Sequence, residues 1–196
     1  MSYLHKNEVI HRDLKTDNIL MDEYLCPKIA DFGLSKVYNA VSKSMRIQSK
    51  SGQMGTPCYM APEIFSKNQY SKSSDVYAFA MIVYEIVSGY PPFKGTDMYN
   101  ILKKLVNKER PIIPSFVPHA YSQLIEKCWS QDPKDRPSFD EIVEELKSNS
   151  DFITDLVDEN DFLVYRDFLE DYESTFDFNN SIHFNSFIKK KATEFK

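Results

Sequence analysis

The stretch "HRDLKTDNIL", His11 to Leu20, decides the reading of this chain. It places two aspartates, an arginine, a lysine and an asparagine between short apolar runs. The alternation of "VIH", "NILM" and "PKIAD" over residues 9–31 predicts short strands joined by polar turns. Taken singly, Asp13 and Asn18 read as turn formers and Lys15 as a solvated surface charge. Their joint order and spacing ask for a chemical explanation.

The rest of the chain sets the frame for that explanation. It has 196 residues, of which 42% are hydrophobic and 14% aromatic, enough for one sizeable core with an extension. A net charge of -5 argues against nucleic acid as the partner. The three cysteines, Cys26, Cys58 and Cys128, are far apart, which fits a reducing compartment better than a disulfide framework or a zinc site. The N-terminal "MSYLHKNEVIHRD" has no apolar run of signal-peptide type, so the expected location is cytoplasmic. "VYAFAMIVYEIVSG", residues 76–89, is shorter than a bilayer requires and contains Glu85. Apolar nearly all round, it predicts a buried helix.

Further along, residues 35–57 are rich in Ser, Lys and Gly without periodicity and predict a long loop. Ser73 and Ser74 are placed to cap a helix from Asp75 to about Ser88, stopped by Gly89 and the prolines after it. "TDMYNILKKLVNKE" predicts a helix capped by Thr96 with Met98, Ile101, Leu102 and Leu105 inward. "HAYSQLIEKCWSQ" predicts another, with Tyr121, Leu124, Ile125 and Cys128 inward. Ser138 and Glu141 have capping-box spacing ahead of a stripe of Phe139, Ile142, Val143 and Leu146. After Lys147 the composition shifts: residues 151–177 hold ten Asp or Glu and one basic residue, Arg166. Phe162, Tyr165, Leu169 and Tyr172 recur there at helical spacing.

Three motifs in order carry a resemblance. His11, Arg12, Asp13, Leu14 and Asn18 meet the pattern H-R-D-L-x-x-x-N; Asp31, Phe32 and Gly33 follow; then Ala61, Pro62 and Glu63. The sequence resembles the protein kinase family at the residues that do its chemistry. The resemblance implies a mainly α fold with a few short β-strands, that of the large, C-terminal lobe of a kinase. It spans residues 1–147, leaving 148–196 as an acidic, aromatic extension.

Phosphoryl transfer from ATP spreads charge over the transferred group, so catalysis is positioning and electrostatics. The resemblance implies that Asp13 orients the substrate hydroxyl and takes its proton. Asn18 and Asp31 match the two protein ligands of Mg2+, a hard cation that takes oxygen ligands. Lys15 matches the charge that steadies the phosphoryl group of ATP in serine/threonine kinases. His11 is implied to be structural. Residues 31–63 resemble an activation segment, with Ser42, Ser44, Ser49 and Ser51 as candidate acceptors for an upstream kinase. Arg12 is placed to pair with a loop phosphate.

Lys15 and Thr56, in "GTPCYMAPE", look like serine/threonine kinases, whereas "CWSQDPKDRPSFDEI" resembles the tyrosine kinase and tyrosine-kinase-like branches. A serine/threonine enzyme of the tyrosine-kinase-like group, acting on protein substrates, reconciles both. Glu63 is implied to pair with Arg136, and Asp75 to accept bonds from the catalytic-loop backbone. Cys128 and Trp129 are implied to be core.

A complete kinase also has a small lobe with a Gly-rich loop and a strand lysine. All five glycines here, from Gly33 onward, come after Asp31. The expectation is therefore a large lobe without its small lobe and little transfer by these residues alone. Leu4, Ile10, Leu20 and Phe32 would then be poorly covered. The alternative reading is a non-catalytic lobe that docks other proteins; intact Asp13, Asn18 and Asp31 speak for the catalytic one.

Overall fold

The computed structural model describes residues 1–22, 27–31, 36–37, 57–154, 159–160, 162–163 and 166–167. The chain divides into two units, Met1–Asn18 with Asp31–Phe152 and Ile19–Ala30 with Ile153–Lys196. The larger is mainly helical. It contains α1 (Ser2–Lys6), α2 (Pro62–Lys67), α3 (Lys72–Ser88), α4 (Met98–Val106), α5 (His119–Cys128) and α6 (Phe139–Ser148). Two short strands, β1 (Val9–Ile10) and β4 (Lys36–Val37), pair antiparallel with Val9 opposite Val37 and Ile10 opposite Lys36. In the other unit, β2 (Ile19–Met21) and β3 (Pro27–Ile29) form an antiparallel pair with Ile19 opposite Ile29. Residues 159–160, 162–163 and 166–167 are helical; Tyr165, Leu169 and Tyr172 lie outside the described residues.

The central element is α3. Its apolar residues recur on almost every side, and Val76, Tyr77, Ala78, Ala80, Met81, Ile82 and Tyr84 are all buried. It begins three residues before the expected Asp75. Ser71, not Ser73 or Ser74, is the N-cap: its hydroxyl accepts from Ser74 N–H while Ser74 answers to the Ser71 N–H, a capping box. Ser74 therefore acts from inside the first turn. At the other end Gly89 takes the left-handed conformation (φ 72°) and bonds back to the Glu85 carbonyl, which a glycine adopts without strain.

Of the other helices, α5 packs most extensively on α3. Leu124, Ile125 and Cys128 of α5 are fully buried, each large apolar side chain contributing about 1.5–3 kcal/mol. On α6, Phe139 and Ile142 are buried whereas Val143 and Leu146 are half-exposed. The capping box there is formed as spaced, Ser138 with Glu141. Phe139 meets His5 edge-on at 5.0 Å and Phe79 at 5.3 Å, tying α6 to α1 and α3. Phe152 sits against Tyr121 at 5.1 Å, and the Tyr121 hydroxyl donates to the Phe152 carbonyl (2.9 Å).

Three expectations need correcting. Asp97 rather than Thr96 caps α4, its carboxylate accepting from the Asn100 N–H. Met98, expected inward, is exposed although it shares the face of Ile101 and Leu105, because it is the first residue of α4 and lies nearly a turn out from the buried Ile101. Ile10, expected to be poorly covered, is only 1% exposed, and β1 that carries it pairs with β4. Leu4 is half-buried and Leu20 exposed; Phe32 lies outside the described residues.

Candidate active site

The loop from His11 to Asn18 is fixed by one buried carboxylate. Asp75, in the first turn of α3 and 2% exposed, accepts the His11 N–H (2.8 Å) and the His5 Nε2 (2.9 Å) on Oδ2. Its Oδ1 accepts the Arg12 N–H (3.0 Å). These bonds hold Arg12 in the left-handed region, φ 74°, where a residue with a Cβ is strained. The turn redirects the chain so that Leu14 plugs the core while Asp13 and Lys15 face a cleft.

Asn18 closes the loop. Its Nδ2 donates to the Asp13 carbonyl (2.7 Å) and to Asp13 Oδ2 (3.1 Å). Lys15 Nζ lies 3.3 Å from the same Oδ2. A cation and an amide donor thus converge on one oxygen of Asp13. With Nδ2 committed twice, the amide of Asn18 is oriented and its Oδ1 remains a hard ligand. Asp31 is exposed, with φ 58°. Oxygen donors of this kind suit Mg2+, which takes few protein ligands and completes its shell with water and phosphate. Asn18 and Asp31 are the residues that would hold it. No cluster of three His, Cys, Asp or Glu side chains occurs among the described residues.

A second group of polar residues was not legible beforehand. Glu85, the one acid inside the apolar run of α3, accepts from the Thr16 hydroxyl (3.0 Å) and from the Tyr59 hydroxyl; Thr16 and Tyr59 are also bonded to each other (2.9 Å). Burial and the bond to Glu85 push the Tyr59 phenol well above its ordinary pKa. This network ties the catalytic loop to the segment that precedes Ala61. An acid in an otherwise apolar helix was the available signal.

The anchor of that segment is an ion pair. Arg136 Nη1 and Nη2 donate to the two oxygens of Glu63 at 2.7 and 2.9 Å, and Nη1 and Nε also reach the carbonyls of Ser73 and Ser130, both at 2.9 Å. Its guanidinium lies 5.0 Å from the centre of the Tyr77 ring. Cys58 and Cys128 are buried, and burial pushes their thiols up to about 11 and about 12, so neither is a thiolate nucleophile. Trp129 is core as expected. Ser42, Ser44, Ser49, Ser51, Thr56, Phe32, Gly33 and Cys26 lie outside the described residues. No described helix is long and apolar enough to cross a membrane.

Known proteins share this arrangement at the level of sequence. A family model for protein tyrosine and serine/threonine kinases matches residues 1–146. A probable LIM domain-containing serine/threonine-protein kinase of Dictyostelium discoideum is 41% identical over 154 residues, 79% of this chain and 23% of its own length. The serine/threonine-protein kinase STY17 of Arabidopsis thaliana is 40% identical over 151 residues, 74% of this chain and 25% of its own. The dual specificity protein kinase pyk3 of Dictyostelium discoideum is 37% identical over 184 residues, 93% of this chain and 13% of its own. The chain thus spans a quarter or less of the length of these relatives. With a kinase model over three-quarters of its residues and the catalytic loop folded around Asp13, the chain belongs to the protein kinase family and corresponds to the C-terminal part of the kinase domain.

Proposed function

We propose that these residues form the catalytic-loop half of a serine/threonine protein kinase that transfers the γ-phosphoryl group of ATP to protein hydroxyls. The supporting observation is the convergence of Lys15 Nζ and Asn18 Nδ2 on Asp13 Oδ2, at 3.3 and 3.1 Å. Asp13 orients the acceptor hydroxyl and receives its proton. Lys15 balances charge on the transferred group, close enough to Asp13 to serve both nucleophile and phosphate. Asn18 and Asp31 would hold Mg2+, which when bound would supply charge neutralisation at the phosphate oxygens of ATP. Arg12 receives a phosphate placed by an upstream kinase on the segment carrying Ser42, Ser44, Ser49 and Ser51. Thr56 is the activation-segment residue that accompanies Lys15 in serine/threonine enzymes, and Lys15 is what favours Ser and Thr over Tyr as acceptors. Residues 148–196 are an extension outside the catalytic lobe.

The test is transfer of radiolabel from ATP and Mg2+ to protein, with analysis of the labelled residue, in the polypeptide that carries this chain. Label on serine and threonine that falls by about 10²-fold or more in Asp13→Asn supports the reading. Label that survives Asp13→Asn, or that appears on tyrosine alone, overturns it.

A further inference from the structure

Arg12 has a partner that neither motif nor family match points to. Its guanidinium lies over the ring of Tyr70, 5.4 Å from the centroid, in the turn that leads into α3. Both side chains are half-buried. The Nε of Arg12 is buried and has no hydrogen-bond acceptor, and no carboxylate among the described residues pairs with this guanidinium. Among the described residues its polar anchorage is through the backbone, to Asp75.

A buried guanidinium donor without an acceptor is costly, and one in a catalytic loop calls for an explanation. The cation–π contact supplies part of it. A ring beneath a guanidinium attracts the cation and restrains it without taking up any of its hydrogen-bond donors. Tyr70 also feels the loop on both sides. Its phenol is raised above its ordinary pKa, by burial first, with Arg12 opposing and Asp13 reinforcing the shift.

We infer that Tyr70 is a positioning residue for an anion site at Arg12, a shelf that holds the guanidinium face-down with its donor edge turned toward an incoming phosphate. The inference rests on Arg12 as the receiver of an activation-segment phosphate and adds what makes that receiver ready before the phosphate arrives. Immobilising a long side chain in advance removes an entropic penalty from binding. The bond that matters is the face contact, so an aromatic ring is required and the hydroxyl is not.

The experiment needs no catalysis. Inorganic phosphate is titrated into the full chain, with chloride at matched ionic strength as control, and the Arg12 Nε–H resonance is followed by NMR, assigned through Arg12→Lys. Wild type should show a saturable shift. Tyr70→Phe should bind within about twofold of wild type, Tyr70→Trp about twofold more tightly than either, and Tyr70→Leu about fivefold more weakly than wild type, following the strength of the cation–π contact. Equal affinity for Tyr70→Leu and wild type overturns the inference while leaving Arg12 as an anion receiver. Absence of any saturable shift in wild type overturns the anion site and the inference with it. Should Tyr70→Leu fail to fold, the ranking of Trp, Tyr and Phe decides: phosphate affinity indifferent to the ring refutes the shelf.

Discussion

Replacing Arg136 by methionine keeps most of the volume and removes the fork. Arg136 is 0% exposed at its side chain and Glu63 10% exposed, so the carboxylate left behind cannot be hydrated in place. The substitution also orphans the carbonyls of Ser73 and Ser130. Stranding one charge of a buried pair costs about 3–5 kcal/mol, a large share of a typical total of about 5–15 kcal/mol. At about 2–4 °C per kcal/mol for a domain of this size, the melting temperature should fall by about 6–20 °C. Glu63→Gln should cost less, because Arg136 keeps its two carbonyl partners. The double variant should be less destabilised than the sum of the singles by about 1–3 kcal/mol, since each single strands what the other removes. Circular dichroism melts of the four proteins measure this cycle. A drop below about 2 °C for Arg136→Met, or strict additivity, would refute the pair as the anchor of the segment before α2.

Asp75→Ala should leave the His11 and Arg12 amides buried without acceptors, at about 1–3 kcal/mol each. Hydrogen exchange at those two amides should then accelerate sharply, with a milder effect for Asp75→Asn, which retains one acceptor oxygen; unchanged exchange would contradict the hub. Glu141 has its pKa lowered, chiefly by the backbone N–H of Ser138 and then by its hydroxyl. The sign follows from the depressed folded value: the unfolded chain takes up the proton more readily, so the contribution is complete above the ordinary glutamate value of about 4.3 and is lost as pH falls through the folded one. Melting temperatures between about pH 3 and 7 should therefore decline on the acid side more gently for Glu141→Gln than for wild type; parallel curves would remove the capping box from the account.

What could be read in advance depended on how local it was. The loop of Asp13, Lys15 and Asn18, the buried run of α3 and the Ser138–Glu141 box each lie within a few residues of sequence, and periodicity or motif order exposes them. The start of α3 was misplaced because serines stand at 71, 73 and 74; only the geometry shows that Ser71 caps and Ser74 answers. Asp97 displaced Thr96 at α4 for the same reason, two capping residues in succession. Ile10 was expected to be poorly covered for want of a small lobe above it, yet the residues present already bury it. Glu85 meets Tyr59 and Thr16, 26 and 69 residues away, and Tyr70 meets Arg12 across the activation segment. Long-range pairings were legible only where the family resemblance implied them, as for Glu63 with Arg136 and Asp75 with the catalytic loop; periodicity does not name the partners of the others, which are chosen by the fold.

The placement of Asp75 and Glu85 on one helix has a mechanical consequence. A helix of 17 residues is about 25 Å long, and ten residues separate these two acids by about 15 Å. Near one end the rod grips the catalytic loop through His11 and Arg12; near the other it grips Thr16 and Tyr59. Both walls of the cleft around Asp13 are thus bolted to the same stiff beam. They cannot spread apart as rigid halves without bending α3 or breaking a bond to it. Backbone opening of this cleft therefore has a bond to α3 to break before it can proceed.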